Sequence, residues 1–341
     1  MQLTKGAIGN LINRYKAVLK KCHLMNTFGS LAVAGMLVMG GAGVAVAAAD
    51  DVALKNGTSE TKYDPAVGAN HLMGGWLVTG AEAAPEHTGA ITLTVTGGNI
   101  NEIIGGSYAK SLAANGESLL TVKHGDITTT IGGETTSAET TSAEFVVGGS
   151  KVAGGAGAKL ETGKTTLTIE NGTFGKSNAD NYELVMGGNY AKTAGSNPLT
   201  ATTEGSSVTV NGGTSYASVV GGSVAHNYSG NGSITVTDNG ATSVNITGGT
   251  FAPSNSAFDV VGGINLSAAV IGGGLAYGAN TSTVLGSDTQ DVTSSVTISG
   301  DAEVKGKVVA GSVVAEGGYA AVVHGNTTLT MQNGTVSDDL I

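Results

Sequence analysis

Residues Ser207–His226 read SVTVNGGTSYASVVGGSVAH. Val208 and Val210 flank Thr209, so successive side chains alternate apolar and polar, the period of a strand with one buried face. Asn211-Gly212-Gly213 then interrupts the chain with residues that favour a corner. A second apolar pair, Val219-Val220, runs into Gly221-Gly222-Ser223. This two-part phrase, strand and corner twice over, decides the fold.

Variants of the phrase recur on both sides. Ile91–Gly98 leads to Ile103-Ile104-Gly105-Gly106, and Leu119–Gly125 opens a looser unit closed by Val146-Val147-Gly148-Gly149. Thr165–Gly172 pairs with Leu184-Val185-Met186-Gly187-Gly188. Val244–Phe251 precedes Val260-Val261-Gly262-Gly263, and Val296-Thr297-Ile298 precedes Val308-Val309-Ala310-Gly311. The second halves lie 43, 39, 34, 41 and 48 residues apart (104 to 147, 186, 220, 261 and 309). A propeller or helical repeat keeps a fixed period, whereas a solenoid holds its strands constant and varies its turns. The pattern predicts an all-β fold, a right-handed parallel β-helix or β-solenoid, with Gly-Gly corners attributed to glycine's access to left-handed backbone. Each inward Val or Ile contributes roughly 1.5–3 kcal/mol when buried, and stacking buries whole columns. A Greek-key sandwich is the competing all-β reading, but it has no need of the same corner in every unit.

Composition agrees with this. The chain of 341 residues has 56 Gly, 4 Pro, 12% charged and 4% aromatic residues. Glycine without a three-residue period excludes collagen, and abundant Val, Ile and Thr oppose disorder. Five of the 16 basic residues (Lys5, Arg14, Lys16, Lys20, Lys21) precede the first acid, Asp50; removing them leaves 11 against 26 acidic residues, a net charge of −15. No arginine follows Arg14. Such a surface does not bind nucleic acid, which demands a cationic face, and it is repelled by anionic membranes.

Residues 1–49 have the layout of a helical secretory signal peptide: a basic segment to Met25, an uncharged apolar stretch from Phe28 to Ala49, and the small-residue ending Ala45-Val46-Ala47-Ala48-Ala49. Cleavage is expected between Ala47 and Asp50, with a retained membrane anchor as the other reading. Cys22, the single cysteine, lies in this leader, so residues after it form no disulfide. Residues 50–90, with Pro65, Pro85 and the single Trp, Trp76, read as an irregular N-terminal cap, and 91–341 as the repetitive region. The Ser/Thr/Glu-rich run Glu134–Glu144 and Ser196–Glu204 read as variable loops that carry any binding specificity.

A long basic leader, an acidic cysteine-free body and Thr-x-Thr…Gly-Gly repeats together resemble the passenger of a bacterial autotransporter, the self-secreted surface proteins of Gram-negative bacteria. The resemblance covers nearly the whole chain and implies display at the outer membrane or release outside it. It also implies a C-terminal membrane barrel. The chain shows no such region, and its last phrase breaks off at Ile341 before a Gly-Gly corner, which predicts an incomplete product. A membrane role would then come only through that missing barrel or an uncleaved signal.

No catalytic, cofactor-binding or metal-binding residue emerges. There is no Gly-x-Ser-x-Gly elbow, and His71, His87, His124, His226 and His324 stand singly, reading as surface or turn residues. Gly154-Gly155-Ala156-Gly157-Ala158-Lys159 begins like a calcium-binding repeat, but Lys159 replaces the aspartate ligand. Asp50-Asp51 and Asp338-Asp339 are neighbours whose side chains diverge on a strand. The sequence therefore predicts a non-enzymatic surface passenger, a scaffold presenting loops for adhesion to unknown host or bacterial surface molecules, glycans or matrix proteins among them. A secreted carbohydrate-active β-helix enzyme and a truncated non-functional gene fragment are the alternatives.

Overall fold

The computed structural model describes strands at Val52–Ala53 and Glu60–Tyr63, then residues 69–79, 89–110, 120–133, 141–153, 158–177, 183–193, 198–227, 231–252, 270–315 and 317–341. The expected signal peptide, 1–49, lies outside them. Every strand-to-strand pairing among the described residues is parallel, in four sheets of eight, thirteen, seven and six strands, numbered 1 to 4 in that order. No helix occurs among these residues. Parallel pairing throughout excludes the Greek-key sandwich, whose sheets are antiparallel. The arrangement is compatible with a β-helix or solenoid.

The chain visits the sheets in a fixed order. In the pass built on the decisive stretch, Ser206–Val210 lies in sheet 1, Thr214–Ser215 and Ser218–Val220 in sheet 2, Val224–Asn227 in sheet 3 and Ile234–Asp238 in sheet 4. The next pass begins at Thr242 and sits in register on this one, with Val208 opposite Val244 and Val210 opposite Ile246. Each repeat thus spans four sheet positions rather than the two strands legible in the phrase.

Alternation explains the core. Leu93, Leu167, Val208, Val244 and Val296 of sheet 1 meet Leu72, Ile103, Val146, Val185, Val219, Val270 and Val308 of sheet 2 in one buried cluster. The chain neighbours of the latter, Met73, Ile104, Val147, Met186, Val220, Ile271 and Val309, join a second cluster with sheet 3 residues such as Tyr108, Tyr190, Val224 and Leu275. Adjacent strand residues face opposite ways, so at this position both faces of sheet 2 are covered. That is why the phrase carries a doubled aliphatic here and an alternating one in sheet 1.

The two corners need glycine for different reasons. Between sheets 1 and 2, Gly98, Gly172, Gly213 and Gly249 have φ of 98°, 135°, 93° and 92°, the left-handed region where a Cβ is strained. The Gly-Gly corner between sheets 2 and 3 is not left-handed: none of Gly74, Gly105, Gly148, Gly187, Gly221 and Gly272 has positive φ. Instead each donates its N–H to the following pass, Gly187 to Val220 O at 2.9 Å and Gly221 to Ile271 O at 2.7 Å. A Cβ on any of the six would overlap the carbonyl oxygen of the residue stacked next to it. Close backbone approach replaces conformational freedom as the cause. Ala310 takes this position in the layer where its N–H donates to Ile341 O at 3.0 Å.

Further readings change. Val270-Ile271-Gly272-Gly273, not Val260-Val261-Gly262-Gly263, pairs with Val219-Val220; the earlier phrase lies outside the described residues. Ile127–Ile131, which the repeat pattern does not mark, is the sheet 1 strand of its pass, and Leu120–His124 is the sheet 4 strand before it. The stack also starts earlier than the repeat pattern indicates. Within the segment expected to be irregular, Ala69–Met73 pairs with Asn99–Ile104 and Leu77–Thr79 with Tyr108–Lys110. Leu72-Met73-Gly74-Gly75 takes the place of the second half of a repeat, with Leu72 and Met73 opposite Ile103 and Ile104.

Candidate functional site

The densest chemistry lies where sheets 2 and 3 adjoin. His71, Glu102 and Phe145 share a column of sheet 2, and Tyr108, Lys151 and Tyr190 share the first column of sheet 3. Lys151 Nζ donates to Glu102 Oε2 at 2.5 Å, and His71 Nε2 stands 3.3 Å from the same oxygen. The ammonium also lies over the rings of Tyr108 and Tyr190, 4.6 and 5.6 Å from their centroids, a cation–π geometry. The Lys151 and Glu102 side chains are 8% and 7% exposed. Attraction between such buried charges is offset by the loss of their hydration, so the pair gives specificity of stacking more than net stability.

Beside it, the Tyr190 hydroxyl and His226 Nδ1 are 2.9 Å apart, and Tyr277 meets the imidazole edge-on at 4.6 Å. Burial, with Lys192 adding a like charge, pushes the His226 pKa down to about 3. The ring is neutral at ordinary pH and packs as an aromatic. His124 is buried too: its Nε2 lies 2.9 Å from Ser107 Oγ, and its ring stacks on Trp76 at 5.6 Å. Neither is the surface or turn residue that the sequence suggests. A polar residue in an inward column has no distinguishing neighbour in sequence, so its burial leaves no local sign.

A buried polar seam runs along the Gly-Gly corner. The residue after four of the six pairs, Ser107, Ser150, Asn189 or Ser223, is fully buried. Ser107 N donates to Ser150 Oγ, Ser150 N to Asn189 Oδ1 at 2.8 Å, and Asn189 N to Ser223 Oγ at 3.0 Å. Each side chain thereby satisfies a backbone donor of the preceding pass that the corner leaves out of the ladder. The seam holds the stack together and faces no solvent.

One accessible face is the outside of sheet 1. Register places Thr92, Thr128, Thr166, Ser207, Ser243, Ser295 and Thr328 in one column, and Thr94, Thr130, Thr168, Thr209, Asn245, Thr297 and Thr330 in the next. None of these is charged and none is fully buried, while Glu60 and Lys62 stand at the head of the two columns. Strand spacing of about 4.8 Å and an i to i+2 separation of about 6.6 Å make this a regular hydroxyl grid. It can form hydrogen bonds, and its threonine methyls add apolar contact.

The positions picked out in the sequence fall variously. His87, residues 134–140 and residues 154–157 lie outside the described residues. The end of the expected 134–144 loop is strand instead: Ser142–Val147 belongs to sheet 2. Ser196–Glu204 is not a free loop either, since Leu199–Thr203 is a sheet 4 strand with Leu199, Ala201 and Thr203 buried. Lys159 lies in the sheet 4 strand Ala158–Thr162, paired with Glu161 at 2.5 Å. Asp338 and Asp339 converge rather than diverge, reaching Lys307 Nζ at 3.2 and 2.8 Å, because they sit at a bend and not on a strand. Among the described residues no three His, Cys, Asp or Glu side chains gather as a metal would require. Comparison with protein-family models, curated proteins and solved structures finds no match to this chain.

Proposed function

We propose that this chain is an exported scaffold of the autotransporter-passenger kind, a right-handed parallel β-helix that presents its hydroxyl-rich face and the segments between strands to other surfaces. One observation carries the reading: pass after pass stacks in register, so uncharged hydroxyl side chains recur along one face while insertions fall between sheets. An array of weak identical contacts gains strength by repetition, since each contact after the first is intramolecular. Partners with repeated hydroxyl or amide groups, such as glycans and matrix proteins, suit that grid better than anionic ones, which the net charge of −15 after residue 49 repels.

Export and adhesion are separable in the test. Intact producing cells are treated with a protease that does not cross membranes, and the chain is followed by antibody against residues 91–341. Loss of the intact chain from whole cells is expected; full protection removes display at the surface. Purified protein is then bound to glycan and matrix-protein arrays, with Thr168→Lys/Thr209→Lys as the altered face. Binding that the double substitution leaves unchanged removes the grid from the reading.

A further inference from the structure

We propose that Lys151 and Glu102 condense to an amide, joining two successive passes by a covalent bond. Three observations single out this pair. Its atoms are in contact, with Nζ 2.5 Å from Oε2. Both of its side chains are under a tenth exposed, whereas the pairs of Lys123, Lys159, Lys176, Lys305 and Lys307 each keep a side chain exposed by about 30% or more. Glu102 Oε1 is buried without a hydrogen bond.

In water, ammonium and carboxylate do not condense because both ions are well hydrated. Burial removes that hydration, and the reaction runs through the neutral amine and acid that proton transfer within the pair produces. The two groups are held in contact by the stack, which replaces a bimolecular encounter with an intramolecular one of very high effective concentration. The balance is simple. One proton passes from Nζ to the carboxylate, the Nζ lone pair forms a bond to Cδ, and the Cδ–Oε2 bond breaks. Oε2 departs as water with that proton and a second one from Nζ. His71 Nε2, 3.3 Å from Oε2, stands where it can relay the second proton to the leaving oxygen. No oxidant, metal or co-reactant enters. The product is uncharged, and its one remaining oxygen, Oε1, is the neutral acceptor of an amide instead of half of a buried carboxylate. It also supplies a chain without cysteine after Cys22 with the loop-closing constraint that a disulfide gives elsewhere.

Peptide mapping of the purified full-length chain under reducing conditions tests this. The expected result is a branched tryptic peptide containing both Glu102 and Lys151, lighter by one water than its two parts, with no cleavage after Lys151. Lys151→Met, shown to be folded by an unchanged β circular-dichroism spectrum, yields the Glu102 peptide in linear form. His71→Phe slows appearance of the branched peptide after refolding by about tenfold or more, the scale of a lost proton relay. Recovery of linear peptides alone from folded wild-type chain after prolonged incubation, with cleavage after Lys151, overturns the proposal; that result is read from wild type and does not depend on any variant folding.

Discussion

The carboxylate of Asp238, at the end of a sheet 4 strand, accepts two hydrogen bonds from Ser223 of the same pass: from the backbone N–H at 2.9 Å and from the hydroxyl at 2.7 Å. A third comes from Thr203 of the preceding pass at 2.8 Å. Asp238 is fully buried and joins sheet 4 to the polar seam at the Gly-Gly corner between sheets 2 and 3. Burial raises its pKa above the ordinary 3.8, and the three hydrogen bonds pull it partly back.

Asp238→Ala leaves the Ser223 and Thr203 donors buried without an acceptor and is expected to cost about 2–3 kcal/mol in urea unfolding. Asp238→Asn keeps an acceptor and removes the charge. An acid whose folded pKa is raised contributes stability that is complete below its unfolded pKa and is lost as pH rises through the folded one. Asp238→Asn therefore gains on wild type as pH rises from 3.8, the unfolded value, through the raised folded one. A constant difference across that range contradicts the assignment.

His226 acts in the opposite sense. Its folded pKa is depressed to about 3 from 6.5, so the unfolded chain takes up a proton first. Its contribution is complete above about pH 6.5 and is lost progressively as pH falls toward 3. His226→Phe, which keeps the ring packing, should show a shallower loss of stability over that window in acid titrations followed by tryptophan fluorescence. An identical acid limb in both proteins would sink the claim.

Glycine substitutions separate the two kinds of corner. Gly187→Ala places a Cβ against the stacked Gly221 carbonyl and is expected to destabilise by about 3 kcal/mol or more, the overpacking limit. Gly133 has φ of 102° with open space around it, so Gly133→Ala incurs only the left-handed backbone strain, about 1–2 kcal/mol. Equal losses in thermal unfolding would mean that backbone approach is not the cause.

Thr129 occupies the column of Leu93 and Leu167, fully buried, and its hydroxyl has no partner. Thr129→Val is nearly isosteric and should stabilise by about 1 kcal/mol. A loss of stability on this substitution would show that the hydroxyl has a partner after all.

Thr129 also shows where sequence reading stops. ITTTI at 127–131 lacks the central aliphatic that marks its counterparts, so the strand becomes legible only once its neighbours fix the register. The doubled aliphatic followed by Gly-Gly is legible as core and corner. Its physical cause is not, because stacked backbone contact between residues some 40 apart leaves no local trace. Two phrases, at 260–263 and 270–273, satisfy the same pattern, and local chemistry does not choose between them. The choice is made by the continuation into Leu275–Gly278 and Thr281–Leu285, which must reach sheets 3 and 4. The buried cluster around Glu102 escapes sequence reading for a related reason: His71, Glu102 and Lys151 come from three passes, and nothing in any one pass announces the other two.

The in-register parallel stack is the claim on which all this rests. Thr92 and Thr328 lie in one outer column of sheet 1, six passes apart by the pairings Thr92–Thr128–Thr166–Ser207–Ser243–Ser295–Thr328. At about 4.8 Å per strand the backbone separation is roughly 29 Å. Double electron–electron resonance between nitroxides on Thr92→Cys and Thr328→Cys, with Cys22→Ser, measures it. A single narrow distribution near that spacing, allowing for label length, is the predicted result; a broad distribution, or one centred tens of ångströms away, contradicts the stack.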